Sequence, residues 1–402
     1  MAGHGNQPAE IKSPIVLTAS QGLKTFSIAA VVIGFLVFVV GLMNNPDRTW
    51  HAYVIGLFYV VSLALGGLFF TAIQHVVKAG WSVNVRRISE AFTSFLPVGL
   101  VAAIGLMFAG KALYPWMNEK YVMADALLQK KVAYLNQPFF VVRILVFFVL
   151  WIVLSKILVG NSLKQDQTGD EKITHKLLPW SIATVMIFAL SYSLFSVDAL
   201  MSLEPHWFST IFGVYCFAGL FQSTIAFMIL TSVYLIKHGY LKNYVNENHL
   251  HDLGKFLFAF TVFWAYIAFS QFMLIWYANI PEETLFYIPR FQGGWALVSA
   301  SLLIFKFIVP FLILLSRSAK RNSKILVSMS FLILVMQYVD LYWLVYPNFD
   351  AKTPVFGFYE VFIFLAFIGA FVYTLTSFLS KNSMIVMKDP RQHESMSHHV
   401  TY

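Results

Sequence analysis

The chain has 402 residues, of which 58% are apolar, 17% aromatic and only 12% charged, against roughly a quarter charged in an ordinary soluble domain. That composition excludes a soluble globular enzyme. A single cysteine, Cys216, excludes an internal disulfide, a Cys-ligated zinc site and an iron–sulfur cluster held by this chain alone, and the net charge of +9 has meaning only once its location is known.

In chain order, residues 1–23 are a polar N-terminal segment without the charged and apolar succession of a signal peptide. Ten apolar stretches follow, at 24–43, 50–73, 91–111, 139–159, 179–198, 210–235, 256–279, 294–316, 325–345 and 357–379. Each is long enough, at about 1.5 Å per residue, to cross a hydrocarbon core of roughly 30 Å. Together they predict an all-α polytopic membrane protein whose transmembrane domain covers 24–379, with a tail at 380–402. The longest connections are 112–138 and 160–178, and KQDQTGDEK in the second reads as a flexible, solvated loop. Pro97 in the third span and Pro310 in the eighth each leave a carbonyl without its helical donor, which predicts kinks near Glu90 and at Lys306.

An even number of spans puts both termini on one side. Nineteen of the 28 Lys and Arg fall in segments on that side, Lys12, Arg86 and Arg87 among them, and seven on the other. This is the positive-inside pattern, so both termini are expected in the cytoplasm. The positive charge then suits anionic lipid headgroups, and no nucleic-acid partner is needed.

Polar groups retained inside apolar spans are the first candidates for function. Lys306 lies near the centre of the eighth span in SLLIFKFIVPFLILL, where an unpaired charge costs about 2.5–3.5 kcal/mol on insertion scales. Asp340 in MQYVDLYWL, with Gln337 three residues before it on the same helical side, is its natural partner. The pair suits a proton relay, because burial opposes the carboxylate while an ammonium favours it. A purely structural ion pair is the alternative. Gln222 in the sixth span, and Tyr266, Ser270, Gln271 and Tyr277 in the seventh, join the candidate proton path, although singly each serves equally well as interhelical glue. Arg143, four residues into the fourth span, reads as an anchor reaching the outer interface.

A second candidate region is SVDALMSLEPHWFST, where Asp198, Glu204, His206 and Trp207 crowd the outer boundary. A quinol that loses two electrons also loses two protons, so such a site needs a base near neutrality, a carboxylate to pass the proton on, and apolar walls. No pair of histidines lies inside the spans and no CxxCH occurs, so no haem site is expected in this chain. The tail HESMSHHV reads as a disordered end.

Three long blocks carry a resemblance: HVVKAGWSVNVRRISEAF, SVDALMSLEPHWFSTIFG and HDLGKFLFAFTVFWAYIAFSQFMLIWYANIPEET. They resemble the smaller NrfD-type membrane subunits of bacterial alternative complex III, a quinol:cytochrome c oxidoreductase. The resemblance runs through most of residues 50 to 380. It implies an NrfD-like arrangement of two four-helix bundles plus peripheral helices in the bacterial inner membrane. It also implies a larger NrfD-like paralogue, an iron–sulfur/molybdopterin-type subunit and multihaem and monohaem cytochrome c subunits as partners, with a terminal cytochrome oxidase downstream. Haem c and iron–sulfur clusters would then reside in the partners, this chain would hold no cofactor of its own, and quinol or quinone would be the ligand class. Asp198 to His206 is the motif-matched outer site; Lys306 and Asp340 rest on the physical argument alone. Two readings follow: a cofactor-free subunit of an electron-transfer complex that offers a quinol-site-like region, a proton path or a scaffold, and a stand-alone proton-coupled transporter or ion carrier.

Overall fold

The structure is a computed structural model that describes residues 13–18 and 21–399. Most of the N-terminal segment expected at 1–23, Lys12 included, therefore lies outside the described residues. The described residues hold helices and no strand. Ten of the helices are long and apolar enough to cross a membrane: α1 (Gln21–Asn44), α2 (Pro46–Val76), α3 (Val83–Phe108), α4 (Gln137–Thr168), α5 (Lys172–Leu203), α6 (Phe212–Lys237), α7 (Glu247–Ala278), α8 (Gly293–Leu314), α9 (Ser323–Asn348) and α10 (Phe358–Lys381). The chain is a multi-pass membrane protein. In lipid every backbone N–H and C=O must find its partner within the segment, which leaves the helix as the solution for such sequences.

Local sequence explains where several helices begin. Asn45, Asn136, Asn246 and Asn322 precede α2, α4, α7 and α9, and each side chain accepts from backbone N–H groups of the first turn. An Asn in this position satisfies donors that the helix itself leaves free. The stretch read as a solvated loop at 160–178 is instead mostly helix. α4 continues to Thr168, Gly169 turns the chain in the left-handed region (φ 68°), and α5 begins at Lys172. The polar character of KQDQTGDEK marks a helix end with partners of its own, as the ion pairs below make clear.

The helices pack as two groups of four with an outer pair. α2 packs on α3, α4 and α5, with α4 on α3 and α5; α6 packs on α7 and α9, with α8 on α7 and α9; and α1 packs on α10 with both against α2. α2 is the axis of the assembly: 94% of its most apolar window is buried, against 22% for α1 and α8. The α1–α10 crossing is close enough that a Cβ on Gly34 would collide with the Phe362 carbonyl oxygen and the Ala366 Cβ.

Buried ionic clasps hold the two ends. At one end Arg48 donates to both oxygens of Glu360 at 2.7 and 2.8 Å, Tyr346 donates to the same carboxylate, and Glu360 accepts from Gly357 N–H at 2.8 Å. The starts of α2 and α10 and the end of α9 are thereby joined. At the opposite end Arg86 and Arg87, counted among the basic residues of the connections on the terminus side, lie fully buried within α3. Arg86 reaches Asp389 at 2.7 Å, and Arg87 reaches Glu90 at 2.5 Å and also Asp166. A buried guanidinium without such partners would be prohibitively unfavourable, so the carboxylates fix where α4 and the tail must lie.

The tail is correspondingly ordered rather than loose. Met384, Ile385 and Val386 are buried, and Met384 N–H donates to Ile15 O at 2.8 Å beside a bond from Leu17 N–H to Leu379 O at 2.9 Å. Ser395 donates to Trp81 O at 2.8 Å, and His398 Nε2 lies 2.6 Å from Asp252. Both described ends of the chain thus meet at one end of the bundle.

Burial alone would raise the Asp389 carboxyl, but the guanidinia of Arg86 and Arg391 reverse this and hold it well below the usual carboxylate range. A depressed carboxyl stabilises the fold above its unfolded value and loses that contribution only as pH falls through its lower folded value. The tail is therefore expected to stay docked from pH 8 to 5. Limited proteolysis should find no change in C-terminal cleavage across that window, whereas Asp389→Asn should release the tail at every pH within it.

Candidate functional site

The eighth span starts as α-helix, widens into a π-helical stretch at Leu302–Ile308 and resumes as α-helix at Val309. Pro310 has no N–H to offer the Lys306 carbonyl, and the helix adjusts by wider bonding, Val309 N–H donating to Ile304 O. The irregularity falls at the depth of Lys306, whose side chain is fully buried.

Lys306 Nζ donates to Asp340 Oδ2 at 2.6 Å and to Gln337 Oε1 at 2.7 Å, and lies 4.4 Å from the centre of the Trp264 ring. Trp264 Nε1 donates to the same Asp340 oxygen at 3.2 Å, while Tyr215 donates to the other oxygen. Four helices, α6 to α9, therefore converge on one carboxylate, and each supplies a group that the apolar surroundings would otherwise leave unpaired. A cavity of about 510 Å³ adjoins this centre, with Tyr215 and Trp264 among its walls.

Other expected path residues lie elsewhere. Gln222 Nε2 donates to Thr261 Oγ1 at 3.0 Å, and Gln271 donates to Tyr287 Oη at 3.2 Å and accepts from Ser209 at 3.0 Å. Tyr266 and Tyr277 face outward, 64% and 84% exposed, and Ser270 is only half-buried, so these three do not line an interior path. The buried face of α7 through this depth is Leu257, Thr261, Trp264, Ile267, Gln271 and Ile275. Tyrosine is at home at a lipid boundary, where its ring is apolar and its hydroxyl wet, which is why polarity alone misassigned that face.

The members of the outer quartet are each tied to a partner, and Arg290, which faces Glu204, also lies over the Phe286 ring that stacks on Trp207. Asp198 is held by both Arg143 Nε and Nη2, at 2.8 and 2.9 Å, and the guanidinium lies 3.9 Å from the Tyr134 ring centre. Arg143 is thus an interior partner rather than an outward anchor. Glu204 lies 3.9 Å from Arg290; burial raises its carboxyl, opposed by Arg290 and His206. Arg290 is itself lowered to about 10 by burial in spite of Glu204. His206 Nε2 lies 3.0 Å from Asp125 in the connection after α3, and Trp207 stacks on Phe286 with ring centres 3.9 Å apart. Four neighbours in sequence turn to four different partners.

The two groups of helices carry matching ion pairs. Arg143 on α4 and Asp198 on α5 join the third and fourth helices of the first group; Lys306 on α8 and Asp340 on α9 join those of the second. Both acid-bearing helices end in a 3₁₀ turn, Met201–Leu203 and Tyr346–Asn348. The chemistry differs in one respect: a guanidinium keeps its proton at any ordinary pH, whereas a buried ammonium can release one. Only the second pair is suited to proton exchange.

No protein-family model matches the chain, and no curated protein matches it.

The asymmetry between the pairs is measurable. Asp198→Asn strands a guanidinium that cannot discharge and is expected to cost about 3–5 kcal/mol, the usual penalty for breaking a buried pair. Asp340→Asn leaves Lys306 free to become neutral and should cost substantially less. Thermal unfolding of the purified protein compares the two, and equal losses would contradict the distinction.

Proposed function

We propose that this chain is a cofactor-free integral membrane subunit of a bacterial respiratory quinol:cytochrome c oxidoreductase, of the NrfD-like type its sequence resembles. Its termini face the cytoplasm. The observation that carries the reading is the buried Lys306–Asp340 pair with its Tyr215, Trp264 and Gln337 partners, inside a helix group that holds an apolar cavity beside it.

Quinol oxidation sends two electrons to haem and iron–sulfur centres, which on this reading belong to the partner subunits. The protons must leave by side chains, and this chain supplies a route for them. Tyr215 Oη passes its proton to the Asp340 carboxylate that the hydroxyl already touches as it takes one up from the quinol, and so stays a neutral hydroxyl. Protonation of Asp340 leaves the Lys306 ammonium uncompensated, which favours loss of a proton from the centre and restores its neutral state. Gln337 and Trp264 hold the two groups in place through both states.

A stand-alone proton-coupled transporter draws support from the π-helical interruption beside Lys306, since interrupted helices mark transporter sites. The counterpart helix α4 runs as α-helix throughout, however. Paired interruptions in corresponding helices are the transporter signature, so the subunit reading is preferred.

Asp340→Asn is the direct test, made on the complex purified in mild detergent from its native membrane. A positioned acid–base group contributes at least about 10²-fold to a proton-transfer step. Where that step limits turnover, quinol:cytochrome c activity and proton release should fall together by about tenfold or more while assembly stays normal. Unchanged turnover and proton release in a normally assembled complex would overturn the proposal.

A further inference from the structure

The cavity beside Asp340 lies between α7 and α8 and is closed at its inner end by Tyr215, Trp264 and Trp343. Phe269, Leu303 and Phe291 stand at its margin and are exposed on the outer surface of the helix bundle, so its mouth opens to the lipid. Small residues make the gap: Ala268 on α7 and Ala300 on α8 stand where larger side chains would close it. About 510 Å³ falls within the range of sites for small organic ligands, which are mostly apolar with a few placed polar groups.

Two hydroxyls supply the polar groups, and both have capacity to spare. Tyr287 Oη accepts from Gln271 Nε2, while its own hydrogen has no acceptor among the described residues. Burial pushes that hydroxyl up to about 12, so it remains a donor at physiological pH. Tyr215 gives its hydrogen to Asp340, which leaves its oxygen lone pairs to accept from something else. A donor and an acceptor among aromatic walls match a flat ring carrying oxygens, whose faces stack on Trp and Tyr. An acyl chain would use neither hydroxyl.

We infer that this cavity binds the ring of a lipid-soluble quinone or quinol, with Tyr287 donating to a ring oxygen and Tyr215 accepting from a ring hydroxyl. The inference rests on the quinol reading for the identity of the ligand class, and on the cavity for its place. It concerns binding and the first proton contact: a ring O–H, Tyr215 and Asp340 form one hydrogen-bonded line. Electron transfer is no part of it.

The test is quinone binding to the full-length chain in lipid nanodiscs, with a short-tailed naphthoquinone as probe and quenching of tryptophan emission as the signal. Tyr287→Phe, which removes one hydrogen bond, should weaken binding by about five- to tenfold, and Ala268→Phe, which fills the space, should abolish it. An azido derivative of the probe, photolysed on the unaltered protein, should label residues 265–272 and 296–303. The labelling experiment decides the matter even where a variant does not fold. Labelling elsewhere, undiminished binding by Ala268→Phe, or full displacement of the probe by phospholipid with brominated acyl chains would overturn the inference, the last by making the cavity an acyl-chain groove. Binding is measured on the resting chain without turnover. It therefore stands or falls separately from the proton defect expected of Asp340→Asn.

Discussion

An ammonium in the middle of an apolar span costs about 2.5–3.5 kcal/mol on insertion scales unless something compensates it, and Lys306 is fully buried in such a span. Asp340 compensates it, and the hydroxyl of Tyr215 and the indole of Trp264 donate to the same carboxylate. One residue on each of α6, α7, α8 and α9 is thereby committed to a single point. The wider winding of α8 at Leu302–Ile308, set by Pro310, and the cavity beside it lie at that same point.

The first group of helices solves the same problem with different chemistry. Arg143 and Asp198 join α4 to α5 through two parallel hydrogen bonds, and the rings of Tyr134 and Phe139 cover the guanidinium. A planar, permanently charged group held at both ends is a fixed strut. An ammonium with two acceptors and an aromatic face is a group whose charge can change. Two similar frames thus differ where it matters, one built to hold and the other able to exchange a proton.

The ten spans were legible because twenty apolar residues in succession have few alternatives, and the pairing of Lys306 with Asp340 was legible because few ionisable residues lie deep in the spans. Less was visible where polarity had two explanations. Arg86 and Arg87 entered only as orientation charges, since nothing local announced that Asp166 and Asp389 would come to meet them. Tyr266 and Tyr277 looked interior although a tyrosine is equally suited to a lipid boundary. Trp264 was missed, and its spacing to Thr261 and Gln271 on one helical face was the available signal. The Asp198 to Trp207 segment was read from its acids, histidine and aromatic ring, but the partners that Arg143, Asp125, Arg290 and Phe286 bring from other parts of the chain were not visible in it.

On the proposed function, Asp340 changes protonation in the working protein. Infrared difference spectroscopy on the complex, recorded as quinol is added, reads the C=O stretch of a protonated carboxyl directly. A carboxyl band that appears during turnover and is absent in Asp340→Asn is the expected result. A spectrum in which no carboxyl band depends on Asp340 would contradict it and leave the Lys306–Asp340 pair a structural tie between two helices.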